Sequence, residues 1–503
     1  MSRNGQTRES AAPTPTGCFP TFGRLLRWRG WRVGACVALA LLLVGGVVDG
    51  IATVHYAGKV GTQLATLEAA GKPVTARALA PAPVRAGENA APLLLAAAEI
   101  VHHHDPPGQG ARSESWGHPM PAEARGYGKL AWNDPADLAR LARYVKDDRR
   151  ALPLLREAEG KPGVDFGVNW DNPFEAPFPH FGKLRSLARF LGDAAVLASH
   201  EGDQAEALDR LRLGYSLARA SSQDPTLIGQ LVACATDTMA TDAAQHVLLM
   251  GPIPVGEARR LTAELDRVDY HERALRALSG ERACGLWVFA AVECGSVRMT
   301  ELVSGASLSL RDRLVFWAYP HLLRPLVYAD ELWFVSYMGK VEQRAGLTPQ
   351  ERARSPLPRW ESAKSRPPRW AVISHILTPV FERTSIKAEN ALVQRRLLQV
   401  ALGVLLYRQA HGRYPASLAE VRAMGWPVPL DNYSDRDLVY RLKGDSYVLY
   451  SIGPDLKDDG GRPLWWQHDM NGRPFRRSAE SAGDLGDIAW IHGNEPRSGA
   501  PHP

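Results

Sequence analysis

The sequence predicts a mainly α protein in three parts: an N-terminal transmembrane helix, an antiparallel helical bundle or short helical solenoid, and a small α+β module of one long helix and an antiparallel sheet. Three observations carry this prediction. Residues 33–54 form one apolar run with a single charge, Asp49, behind a cluster of arginines. Residues 136–345 repeat apolar side chains at steps of three and four, the period of a helix with one buried face. Beyond residue 385 a long helical pattern gives way to strand-like segments around Lys443-Gly444-Asp445-Ser446, a hairpin signature.

Composition sets the outer bounds. The chain has 503 residues, 45% apolar and 23% charged. That is close to a globular average and excludes wholesale disorder and collagen-like chains. The net charge of +6 invites a nucleic-acid reading. Position undoes it. Residues 1–32 hold six arginines (Arg3, Arg8, Arg24, Arg27, Arg29, Arg32) against one acid, Glu9, which leaves only +1 for the rest of the chain. A duplex-binding face needs clustered cations to displace counterions, so no nucleic-acid partner is expected.

The 33–54 run is long enough to cross a bilayer core. Trp28 and Trp31 stand at interface depth just before it. Basic flanks stay cytoplasmic. Residues 1–32 are therefore a basic cytoplasmic tail, and the chain from 55 onward lies outside the cytoplasm. This describes a single-pass signal anchor in the inner or cytoplasmic membrane, with the lipid bilayer as its first partner. The alternative of a cleaved signal peptide needs a small-x-small site, and Val48-Asp49-Gly50 is a poor one. A lipidation box at Cys36 lacks the apolar stretch that should precede it. A second span is not expected: 283–292 is only 10 residues long, and 314–323 contains Pro320. Both read as buried helix. Cys234, Cys284 and Cys294 are the extracytoplasmic cysteines, too few for a disulfide scaffold or a zinc site.

Residues 55–135 read as an irregular lead-in with one helix near 91–101. His102-His103-His104-Asp105 after it reads as a polar helix end, because adjacent histidines cannot all face one metal. In the helical domain, 136–345, Leu184, Leu187, Ala188, Leu191, Ala195 and Ala198 form one stripe. After a stop at Glu201-Gly202-Asp203, Ala207, Leu208, Leu211, Tyr215 and Ala218 form another. Asp224-Pro225 is an N-cap and first-turn pair for a helix reaching Met250, with Leu227, Leu231, Cys234, Ala235 and Thr238 inside. A further helix runs from 255 to about 279. Glu264, Asp266, Asp269, Glu272 and Glu281 alternate there with Arg267, Arg273, Arg276 and Arg282, which reads as a solvated face of ion pairs. Residues 346–384 are a Pro/Arg-rich linker, whose arginines suit a membrane surface.

The module, 385–490, opens with a helix over 388–410 carrying Leu392, Arg396, Val400, Gly403 and Tyr407 at steps of four and three. Gly412 and Pro415 turn the chain, and a short helix leads to strands at 438–442 and 447–451. A last strand is expected within 484–490, and 491–503 is read as a disordered tail.

Three runs in this module, YRQAHGRYPASLAEV (407–421), SYVLYSIGPD (446–455) and GDLGDIAW (483–490), resemble the globular domain of type II secretion major pseudopilins. The resemblance covers about 105 residues. It implies a long helix, a Gly-x-Tyr-Pro turn and a small antiparallel sheet. It also implies calcium held by carboxylates of the sheet-ending loop, which fall here on Asp455 and Asp487, with Asp484, Asp458 and Asp459 close by. Calcium prefers such hard oxygens. A plain Asp/Gly turn is the alternative. A processed pseudopilin carries a Glu five residues after a Gly cleavage point; here Phe22 holds that position after Gly17-Cys18, and 33–48 has no Glu. The larger arrangement resembles single-pass bacterial envelope proteins.

Hydrolase, zincin, P-loop and C-x-x-C motifs are absent. Tyr270-His271-Glu272 and His375 stand alone. Trp465-Trp466-Gln467-His468-Asp469 reads as an aromatic pin on a sheet or a sugar-stacking loop. The expected function is a membrane-anchored extracytoplasmic scaffold or interaction protein of the envelope, with envelope or secretion proteins as partners. The alternative is an extracytoplasmic enzyme or ligand-binding receptor with a site between the helical domain and the C-terminal module.

Overall fold

A computed structural model describes residues 21–101, 135–173, 178–303, 308–357, 366–378, 381–461, 467–468, 474–475 and 488–490 of the chain. These are mainly helical. Helix α1 (Thr21–Ala69) runs for 49 residues, well past the apolar stretch that opens it. Residues 33–51 stand almost wholly exposed. From Ala52 onward one side is covered, and Val60 is buried, because this half lies along α11.

Then come α2 (Ala91–Ile100), α3 (Pro135–Asp148), α4 (Ala151–Glu159), α5 (Pro179–His200), α6 (Gln204–Ser221) and α7 (Leu227–Val247). The predicted stripes on α5 and α6 are buried throughout. Gly202 (φ +85°) makes the turn between them, and Asp203 caps α6 by accepting the Glu206 amide. Helices α5, α6 and α7 pack on one another.

Helix α7 differs from expectation in three ways. Its cap is Thr226, which accepts the Gly229 amide; Asp224 instead accepts the Thr226 amide at 2.8 Å. It stops at Val247, short of Met250. Its buried side holds Val232, Ala233, Asp237, Ala240, Ala243 and Ala244, whereas Leu231, Ala235 and Thr238 are half-buried. The helix is enclosed by neighbours, so no single stripe describes it.

The stretch read as one helix is two, α8 (Val255–Leu265) and α9 (Tyr270–Glu293), because Asp269 caps the second by accepting the Glu272 amide. The charges there are not all solvated either. Arg282 is fully buried and Glu264 is 2% exposed. Helix α10 (Leu310–Leu322) starts from a Ser309–Asp312 capping box and breaks before α11 (Arg324–Ala345). Segment 283–292 is buried inside α9 as expected, but 314–323 is not: of α10's residues only Tyr319 is buried.

Helices α12 (Pro349–Arg354) and α13 (Val372–Leu377) fall within the segment read as a linker. Ala371 and Ile373 are fully buried, so this stretch is part of the packed body. Helix α14 (Phe381–His411) follows, then α15 (Leu418–Ala423), β1 (Val439–Lys443) and β2 (Ser446–Ser451). A two-residue turn joins the strands, with Gly444 at φ +59°. A short ribbon of β3 (Gln467–His468) and β4 (Pro474–Phe475) precedes β5 (Ile488–Trp490). The antiparallel sheet is ordered β1-β2-β5, with Tyr440 opposite Leu449 and Tyr450 opposite Ala489.

One apolar cluster joins the two halves of the chain. It contains Ala195, Leu208, Tyr215, Ala244 and Leu261 of the helical part, Leu398 and Leu402 of α14, and Tyr447, Leu449 and Trp490 of the sheet. Each buried leucine of this cluster contributes roughly 1.5–3 kcal/mol on burial. Helix α14 is therefore a central helix of the whole body. The approach at Gly403 is so close that the Trp426 ring occupies the space a Cβ would need.

Candidate functional site

Three places gather chemically active side chains. The first is the turn after β2. Asp455 accepts the Lys457 amide at 3.1 Å. Asp458 accepts the Tyr450 hydroxyl at 2.8 Å, the Gly460 amide at 2.9 Å and Arg441 at 3.2 Å. The Tyr450 hydroxyl and then the Gly460 amide hold the Asp458 carboxyl below its ordinary range. Burial moves Asp455 the other way. Asp458 thus serves the Asp/Gly turn. Asp459 lies in the same loop, while Asp484 and Asp487 fall outside the described residues. Among the described residues no three His, Cys, Asp or Glu side chains are grouped to hold a metal. The 102–105 histidines and Trp465, Trp466 and Asp469 also lie outside the described residues. Cys234, Cys284 and Cys294 are free thiols.

The second place is a network of buried carboxylates. Asp330 of α11 accepts the Tyr319 hydroxyl at 2.9 Å and the Ile373 amide at 2.8 Å, and Ser374 also donates to it. It thereby fastens α10 and α13 to α11. Glu331 beside it is 6% exposed. Burial first, then the nearby charges of Glu293 and Asp330, push its carboxyl up to about 8. Burial also raises Glu293, whose neighbour Tyr328 donates to it. Glu331 is mostly protonated at neutral pH. Clusters of perturbed carboxyls are found at functional sites and in structural networks alike.

The third is a cleft of about 820 Å³ where the α7–α8 loop meets the end of α14 and the hairpin turn. Leu248–Ile253 form one wall, with Leu249 and Met250 largely exposed. Gln409 holds that wall to α14: its Oε1 accepts the Ile253 amide at 2.9 Å, and its Nε2 donates to the Ile253 carbonyl at 3.4 Å. Arg408 lies 4.6 Å from the Tyr414 ring centre and donates to the Tyr414 hydroxyl at 2.8 Å. Asp445 and Ser446 close the rim. The result is an open cleft of mixed lining, with Leu248, Ile253 and Leu405 beside Arg408, Gln409, Asp445 and Ser446.

Sequence reasoning missed the most deeply buried polar group of α14. It singled out Arg396 among the residues recurring along the helix, but Arg395 is the buried one, paired with Asp237. The available signal was Asp237 itself, an acid flanked by apolar and small residues in the middle of α7. Tyr270, read as an isolated polar residue, also donates to Asp237. Compared with known proteins, the chain matches no family model, no curated protein and no solved structure.

Proposed function

We propose that this chain is a membrane-anchored extracytoplasmic scaffold or interaction protein of the bacterial envelope, working in secretion or surface assembly. Helix α1 carries the reading. Its apolar half stands clear of the body, while its far half packs along α11. Just past its end, Lys72 pairs with Glu342 at 2.7 Å, and Glu342 also pairs with the buried Arg282. Such an anchor is continuous with the fold that it holds. Residues 48–50 lie in mid-helix, a poor substrate for removal as a signal peptide. The arginines before the span support a cytoplasmic N-terminus. The link to secretion rests on the pseudopilin-like runs, whose long helix, turn and antiparallel strands follow in the implied order.

The test is a crosslinked detergent pull-down of the tagged full-length chain from its native membrane after an alkaline wash. Retention through the wash and enrichment of secretion-pilus components are the expected results. Release by the wash overturns the anchor. Recovery of the chain alone overturns the assembly role.

The cleft between the α7–α8 loop and α14 favours a second reading, a ligand-binding receptor or enzyme with its site at that junction. Native mass spectrometry of the purified chain would then find a small molecule that Met250→Trp excludes. Identical spectra for both proteins remove this reading.

A further inference from the structure

Helix α10 presents an apolar face that the body leaves uncovered. Leu310, Leu314, Trp317 and His321 recur at i, i+4, i+7 and i+11, so they share one side of the helix. Leu310 is 75% exposed, Leu314 59% and Trp317 58%. Leu322 and Leu323 extend the exposed apolar surface at the C-terminal end. Arg311 and Arg313 flank the stripe, one on each side, and both are exposed. The body holds this helix at Tyr319, whose hydroxyl donates to Asp330 on α11.

The height of α10 relative to α1 follows from α11. Lys72, just beyond the end of α1, meets Glu342 near the end of α11. The two helices lie side by side over a long stretch, so they run parallel. From Glu342 back to Arg324 is a rise of about 27 Å at 1.5 Å per residue. The same distance back along α1 arrives near residues 51–54. That is where the exposed apolar run ends and α11 begins to cover the helix. Leu323 joins α10 to Arg324, so α10 meets α11 at this level.

We propose that α10 is a second membrane contact, an interfacial helix whose Leu310–Leu314–Trp317 face enters the headgroup boundary beside the anchor while Arg311 and Arg313 meet anionic headgroups. The observations fit this occupant in three ways. A Leu/Trp face bordered by arginines is the composition of helices that lie in an interface. Basic side chains at that depth are drawn to anionic lipid. The C-terminal end of α10, which carries the exposed Leu322 and Leu323, is also level with the boundary of the span. The proposal rests on the anchor reading of α1.

The test places a benzophenone side chain at Val48, at Leu314 or at Leu442, an exposed residue on β1, in the full-length chain. Each protein is reconstituted in vesicles of phosphatidylcholine and phosphatidylglycerol, irradiated and read for lipid adducts by mass spectrometry. Adducts at Val48 and Leu314, with Leu314 about tenfold above Leu442, are expected. Arg311→Glu with Arg313→Glu should lower the Leu314 yield severalfold and leave the Val48 yield unchanged, which also reports that the chain has inserted. An adduct at Val48 with Leu314 no higher than Leu442 overturns the interfacial helix and leaves the anchor standing. No adduct at Val48 overturns the anchor, and the proposal with it.

Discussion

Arg395 on α14 grips Asp237 on α7 at two points, Nε to Oδ2 and Nη2 to Oδ1, both at 2.8 Å, and each side chain is 1% exposed. The Tyr215 and Tyr270 rings lie 5.1 and 5.2 Å from the guanidinium, and the Leu265 carbonyl accepts a further bond at 3.0 Å. Burial opposes the charge on Arg395, but the attraction of Asp237 outweighs it and raises the guanidinium pKa. Burial, followed by the Asp237 charge, raises the Tyr270 hydroxyl well above its ordinary value. This pair fastens the C-terminal half of the chain to the helical half.

Removing one partner strands the other charge in the core. Asp237→Ala is expected to cost about 3–5 kcal/mol in denaturant unfolding of the full chain. The double replacement Asp237→Leu with Arg395→Met should cost less than either single change, because no charge is then left buried. Single variants no worse than the double one would show that the pair does not fasten the halves.

Glu331 predicts a pH dependence of stability. Its folded pKa of about 8 lies above the ordinary glutamate value of 4.5. Below pH 4.5 both states are protonated, and the group is neutral towards folding. As the pH rises from 4.5 to 8 the unfolded state ionises first, so stability falls, and above 8 the loss levels off. The full loss is on the order of 5 kcal/mol. Glu331→Gln should flatten this slope and melt higher than the parent at pH 8–9. Thermal melts of both proteins between pH 5 and 9 measure it, and parallel curves would refute it.

Gly403 predicts a packing defect. A methyl group there meets the Trp426 ring and Val421. The indole cannot withdraw cheaply, since its Nε1 donates to the Gln399 carbonyl at 2.8 Å. Gly403→Ala is expected to destabilise by about 1–3 kcal/mol. Unchanged unfolding would mean that α15 shifts freely over α14.

Calcium, implied by the pseudopilin resemblance, gives a fourth prediction. Asp455→Asn should abolish the heat of calcium binding in isothermal titration of the full chain. Asp458→Asn should chiefly loosen the turn in calcium-free buffer, by about 1 kcal/mol or less because the group is exposed. No heat from the parent chain at millimolar calcium removes the idea.

The helical stripes were legible where charged side chains mark the uncovered line of a helix. The residues from Leu184 to Ala198 stood out because Arg185, Arg189 and Asp193 occupy the one line of α5 that is not buried. Helix α7 hid its interior, since neighbours enclose it and periodicity fades when most positions are buried. Charges misled more than apolar residues did. Arg282 sits in a sequence of alternating charges that normally faces water, but its partner Glu342 comes from α11, 60 residues away. Nothing local marks such a pairing. The same reason hid Arg395: its partner lies 158 residues away. The α10 face was missed through its one proline. Pro320 argued against a span, but it does not decide between a buried helix and an uncovered one.

Helix α1 passes without a joint from its apolar half into the body, and Lys72 fixes its end. On a bilayer this makes a mast rather than a tether. Under the proposed anchoring, the domain would not tumble above the surface, and its tilt and azimuth would follow those of the helix. Any partner arriving from the same membrane would meet the cleft by Arg408 at one height and one bearing, and the search for it becomes two-dimensional. A flexible stalk of equal length would sweep a hemisphere and lose that registration.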